Sequence, residues 1–187
     1  MSNFARILKS TFGSQKKIWA QFAAEIEAKY ENNGLFKAHV ITKELPWGTF
    51  KIDTFIKRYG RSQETFTRFQ LKCSNPDKLE FLIVRKRFLG SYNHKGLTKI
   101  TTDYVDFDKK FRMYVSDHRK IKRLLNRNIL SNIIMQKPFN TIDIELRANH
   151  LELRIASLNK DIEQLKSLFD LMLVIRNQFD TEFNVLV

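Results

Sequence analysis

The strongest constraint on the fold is a stretch of period-two hydrophobicity that contains no helical segment. From Trp47 to Phe88 the apolar residues alternate in three runs: Phe50, Ile52, Thr54 and Ile56; then Thr65, Thr67, Phe69, Leu71 and Cys73; then Leu79, Phe81 and Ile83. Alternation places one set of side chains on one face of a strand. The runs are separated only by Gly60-Arg61-Ser62 and by Asn75-Pro76-Asp77, both turn-forming. Parallel neighbours need a crossover of a dozen or more residues, so strands joined this closely are antiparallel. A short, partly alternating run from Leu35 to Leu45, ended by Pro46, precedes them. This stretch predicts a meander sheet.

Helical periodicity brackets the strands. Ile18, Trp19, Phe22, Ala23, Ile26 and Tyr30 make one apolar stripe, predicting a helix from Ser14 to Asn33 that stops at Asn32-Asn33-Gly34. After the polar loop Gly90–Gly96, Ile100, Thr102 and Tyr104 suggest a strand, and Phe111, Met113 and Val115 another. Ser116 or Asp117 can cap a helix over His118–Gln136 with Ile121, Leu124, Leu125, Ile129 and Ile133 as its stripe. Thr141–Ser157 is the clearest hairpin: Ile142, Ile144 and Leu146 alternate, Ala148-Asn149-His150 turns, and Leu151, Leu153 and Ile155 alternate back. Asn159 is read as the cap of a last helix to Phe179 with Ile162, Leu165, Phe169, Met172 and Ile175 inward.

The pattern therefore predicts an α+β fold: an antiparallel meander sheet with an N-terminal helix, followed by a strand–helix–hairpin–helix unit. Residues 14–187 are expected to form a single domain, with 107–187 as a possible subdomain. Residues 1–13 form a basic amphipathic segment that lacks any acid, with Phe4, Ile7, Leu8 and Phe12 at helical spacing. A single cysteine, Cys73, excludes an internal disulfide and a Cys-based zinc site, and fits a reducing compartment. No apolar run approaches the roughly 18–20 residues that span a bilayer.

Chemistry-bearing motifs are scarce. The sequence holds no G-x-G-x-x-G, no G-x-x-x-x-G-K-[ST] and no G-x-S-x-G. His39, His94, His118 and His150 form no local ligand pair, so no metal or other cofactor is expected. Asp103, Asp106 and Asp108 cluster, but Lys109-Lys110 follows where a calcium loop would close, and Asp106 and Asp108 are read as flanking a turn. Cys73 lies in register with Phe69 and Leu71, as a small buried hydrophobe would, rather than as a nucleophile based by His118.

Charge is the remaining signal. The net charge is +13, and residues 107–137 hold +7 while residues 138–187 hold −3. Arg85, Lys86 and Arg87 end a strand; Arg119, Lys120, Lys122, Arg123 and Arg127 line a helix; Lys57, Arg58 and Arg61 surround a turn. Converging, these residues would form an electropositive face able to contact phosphates without reading sequence. The leading expectation is a non-catalytic binding module, cytoplasmic or membrane-peripheral. Its partner would be a nucleic acid, an anionic membrane surface or an acidic protein. One alternative is an enzyme with a site assembled around the 90–96 loop, where Tyr92, His94 and Lys95 are the binding candidates. Another is a peripheral binder of anionic membranes through residues 1–12.

The segment Phe107-Asp108-Lys109-Lys110-Phe111-Arg112-Met113-Tyr114-Val115-Ser116-Asp117 resembles an F-D-x-x-F-x-V-x-S-D pattern in an uncharacterised bacterial protein family of unknown function, here with Tyr114 after Met113. In that family the pattern precedes a helix, a hairpin and a last helix. The opening helix with Trp19, Phe22 and Ala23 is similar as well. The resemblance implies a bacterial α+β protein and supplies no catalytic residues. Members are often membrane-anchored, and this sequence differs in having no transmembrane stretch.

Overall fold

Where the alternation is strongest, strands form and pair in chain order. The computed structural model describes residues 15–32, 39–59, 62–73, 75, 78–86, 96–125, 134–135, 142–156 and 161–183. A helix over residues 15–25 (α1) leads into β1 (Lys29–Asn32), β2 (His39–Leu45), β3 (Gly48–Tyr59) and β4 (Ser62–Lys72). Then follow β5 (Phe81–Arg85), β6 (Thr98–Ile100), the short helix α2 (Val105–Lys110), β7 (Phe111–Val115) and α3 (His118–Leu125). The hairpin β8 (Ile142–Arg147) and β9 (His150–Ala156) precedes the long helix α4 (Ile162–Phe183).

The nine strands of the described residues share one sheet in the order β1-β2-β3-β4-β9-β8-β5-β7-β6, and every neighbouring pair is antiparallel. The expected meander is present over β2–β4, is extended by β1, and ends there. β5 pairs with β8 and β7, not with β4, because the β8–β9 hairpin occupies the place between them. The hairpin fits that place because its apolar residues meet apolar residues on both sides. Leu151 and Leu153 stand opposite Leu71 and Phe69, while Leu146 and Ile144 stand opposite Phe81 and Ile83.

One face of the sheet carries the helices. Phe50, Ile52, Phe69, Leu71, Ile83, Met113, Ile144 and Leu153 are buried there against Trp19 and Phe22 of α1, Ile121 of α3, and Leu165, Leu168, Phe169 and Met172 of α4. Phe169 joins three elements, with its ring 4.7 Å from that of Phe50 and 6.3 Å from that of Phe22. Lys166 of α4 pairs with Glu25 of α1 at 2.6 Å. The opposite face is ionic over β3, β4, β8 and β9, where Asp53, Arg68, Arg154 and Glu145 form charged pairs. Beside it, Leu82, Val84, Tyr114 and Leu97 form a smaller apolar cluster.

Local capping accounts for several boundaries that differ from expectation. α1 ends near residue 25 rather than Asn33. Glu27 adopts φ 53°, its N–H donates to Ala24, and the Ala28 N–H donates to Ala23. This left-handed ending frees residues 29–32 to pair as β1, which overrides the helical spacing of Tyr30. Lys43 Nζ also donates to the Ile26 carbonyl at that helix end. Asp161 holds the start of α4, accepting from the N–H groups of Glu163 and Gln164; the expected cap, Asn159, lies outside the described residues. Asp117 caps α3 as expected, accepting from Arg119 and Lys120. The strand expected through Thr102 and Tyr104 is confined to Thr98–Ile100, and Asp106 and Asp108 sit in α2 rather than beside a turn.

Candidate anion-binding surface

The strand register sorts the basic residues by position. Arg85 stands opposite Phe111 and Phe81 opposite Val115, so β5 and β7 run the same five residues in opposite directions. α3 begins just beyond Val115. Its start is therefore at the far end of this pair from Arg85, about 13 Å away at strand spacing. The two basic groups read from the sequence belong to different ends of the sheet.

What joins Arg85 and Lys86 instead is the α2–β7 junction. The Lys86 N–H donates to the Lys110 carbonyl at 2.8 Å, continuing the β5–β7 ladder by one residue. Lys86, Lys109 and Lys110 are exposed, and Arg85 is half-buried. The junction is rigid because Phe107 and Phe111 are both buried and their rings stack at 5.0 Å. Spaced by four, these aromatic side chains anchor the segment and leave the two lysines between them facing water. Asp108 fixes the approach from β6, accepting from the Thr102 N–H at 2.8 Å and the Thr102 hydroxyl at 3.1 Å. Asp106 pairs with Lys109 at 3.0 Å.

The ends of the strands add a second group. Tyr59 pairs with Ser62, Phe66 with Ala156, Ile155 with Ile142, and Asp143 with Val84. Following that register, the tip of the β3–β4 hairpin and the Arg85 end of β5 lie at the same end of the sheet. Four strand spacings separate them across the sheet, about 19 Å, and Arg58 lies four residues beyond the level of Arg85 along the strands, about 13 Å further. Lys57 and Arg58 belong to that tip, and Arg58 is exposed.

Among the remaining candidates, Arg119 is exposed and Lys120 half-buried at the start of α3, and Lys122 and Arg123 lie further along it. Arg87, Tyr92, His94, Lys95 and Arg127 lie outside the described residues. The reading from sequence missed Lys109 and Lys110 as surface groups. Their signal was the pair of aromatics four residues apart with lysines between. Asp103 is exposed, Asp106 and Asp108 are engaged as above, and no group of three His, Cys, Asp or Glu among the described residues could hold a metal ion. Cys73 is buried in the core, as expected. His39 is also buried, its Nδ1 2.6 Å from the Tyr30 hydroxyl and its ring stacked on that of Tyr30. Burial, with the nearby Lys16 charge, holds its pKa below the usual histidine range.

Over the described residues the fold thus defines a class: an α+β protein with an antiparallel sheet of nine strands, helices on one face, and a late hairpin in mid-sheet. That fold is similar to the crystal structure of the mycobacterial trehalose monomycolate transport factor A, with a TM-score of 0.64 at 9% identity over 88% of this chain and 93% of that one. No family model matches the chain. No curated protein matches it in sequence. Among the described residues, no helix is long and apolar enough to cross a membrane.

Proposed function

We propose that this chain is a non-catalytic interaction module that binds an anionic partner through the basic end of its sheet. The observation that carries the reading is the Lys86–Lys110 backbone bond, which gathers Arg85, Lys86, Lys109 and Lys110 on one rigid junction. The described carboxylates support it, because most have structural tasks. Asp53 binds Arg68, Asp108 binds Thr102, Asp117 and Asp161 cap helices, and Glu145 binds Arg154. The structural neighbour is a transport factor, which accords with a role in binding rather than catalysis. A bacterial protein, cytoplasmic or membrane-peripheral, with residues 14–187 as one domain and akin to the F-D-x-x-F family, goes with this reading.

The test uses the full chain with two polyanion probes, a labelled DNA duplex and phosphatidylserine vesicles. Binding to at least one is expected to fall by about tenfold or more between about 50 and about 200 mM salt. The double variant Lys86→Glu/Lys110→Glu should weaken it and flatten the salt dependence by about two ion equivalents. Arg119→Gln, at the other end of the β5–β7 pair, should leave it unchanged. Binding that ignores salt, or that survives the double reversal, overturns the proposal.

A further inference from the structure

His39 opens β2 and is buried among aromatic rings. Its Nδ1 lies 2.6 Å from the Tyr30 hydroxyl of β1, and the two rings stack at 5.9 Å and 11°. The Trp19 ring of α1 lies 5.8 Å from the His39 ring, tilted by 48°. One titratable side chain thus joins its own strand, β1 and α1.

The charges facing it do not favour a second positive charge. Burial first, and then the Lys16 charge on α1, hold its pKa below the usual histidine range. On β1, Glu31 is in register with Val40, so it stands on the other face of the sheet, where Lys29 pairs with it at 2.7 Å. Continuing the β2–β3 register sets Thr54 beside His39, and Asp53 stands on the other face with Arg68 and Lys51. Glu25, at the far end of α1, pairs with Lys166 of α4. The adjoining segments 1–14 and 33–38 contain no aspartate or glutamate, so they supply no counter-charge. A neutral His39 accepts at Nδ1 from the Tyr30 hydroxyl. A protonated ring must donate there, so the hydroxyl has to turn and its proton loses this acceptor. Stacking on Tyr30 offsets part of that cost.

β1 is the element that can yield. It is four residues long, stands at the end of the described sheet, and has no fully buried residue. β2 is also paired with β3 from Ile41 to Leu45, and α1 is anchored by the buried Trp19, Phe22 and Ala23. Local opening follows the route with the fewest buried contacts.

We propose that β1 is an acid-released strand: protonation of His39 frees Lys29–Asn32 from β2 while β2, β3 and β4 stay paired. The opened state binds the proton more tightly than the closed one, so acid favours opening. The effect sets in near the ordinary histidine value of about 6.5 and saturates below the depressed folded value. Between the two, opening rises by up to about tenfold per pH unit. The proposal does not depend on the Lys86–Lys110 junction.

The experiment follows amide exchange of the full chain by NMR from about pH 7.5 to about pH 5, each rate being divided by its intrinsic value at that pH. Protection over Lys29–Asn32 is expected to fall as pH drops, by up to about tenfold per unit. It should also be lower than at Phe69 and Leu71 of β4 and insensitive to low urea, which marks a local opening rather than global unfolding. His39→Gln should abolish the fall with pH. Lys16→Gln, an exposed change that raises the folded pKa of His39, should shrink it. Protection of β1 that ignores pH, that matches β4 in size and urea dependence, or that still falls with pH in His39→Gln would overturn the proposal.

Discussion

Replacing Asn75 with alanine should unfold the join between β4, β5 and the β8–β9 turn more readily than any nearby surface change. Asn75 is 5% exposed, and its side chain uses both ends. Nδ2 donates to the carbonyls of Leu79 and Ala148, and Oδ1 accepts from the Leu79 N–H at 3.0 Å. Alanine leaves three backbone groups without these partners. Each net bond contributes about 1 kcal/mol, and a buried group left unpaired costs about 1–3 kcal/mol, with some relief from entering water. The expected loss is about 3 kcal/mol, or about 6–12 °C in Tm for a chain of this size. Asn75→Asp should be worse at neutral pH, since a carboxylate would face the two carbonyl oxygens that Nδ2 now serves. Its folded-state pKa would lie above the unfolded value, so acidification through that pKa should restore part of the loss. Urea denaturation of both variants, at pH 7 and pH 5, measures these differences. A loss below about 1 kcal/mol for Asn75→Ala, with unchanged m, would refute the clamp.

Four further outcomes follow from single sites. Gly48→Ala should cost about 2–3 kcal/mol by thermal unfolding, because Gly48 holds φ 152° and a Cβ there would lie 2.3 Å from the Lys72 carbonyl oxygen. Glu27→Gly should stabilise by about 0.5–1 kcal/mol in denaturant, since the residue holds φ 53° at the end of α1 and is nine-tenths exposed. His39, with its folded pKa depressed by burial, should make stability fall as pH drops below the ordinary histidine value, and His39→Gln should flatten that dependence in urea titrations from about pH 7.5 to about pH 5. For Asp53, burial works against the charge, but the hydrogen bonds from Arg68 and Lys51 outweigh it and lower the pKa. Its contribution is present above the unfolded pKa and lost as pH falls through the folded one, so Asp53→Asn should weaken the acid dependence below about pH 4.

Much of the local structure was legible because side-chain periodicity reports burial directly. The inward row of β3 at Phe50 and Ile52, that of β4 at Phe69 and Leu71, and the two rows of the β8–β9 hairpin all read as alternation and are all buried. Asp117 was legible as a cap because its short carboxylate stands immediately before a helical stripe. The buried role of Asn75 was not, since a turn signal says nothing of the distant Ala148 carbonyl it serves. Nor was the true end of α1, where pairing of Lys29–Asn32 with His39–Thr42 outweighed helical spacing.

The sequence alone thus determined which residues face inward and where most strands and helices lie. Tertiary structure decided which strands neighbour one another. Alternation fixes the face that a strand buries but leaves its edges unspecified, and backbone hydrogen bonds there are chemically alike for every sequence. Only the simultaneous packing of all the strands against α1, α3 and α4 places β9 beside β4 and β8 beside β5. That placement puts the Lys86–Lys110 junction and the β3–β4 tip at one end of the sheet and the start of α3 at the other end of β7. The net charge of +13 specified none of this, because a sum of charges carries no positions.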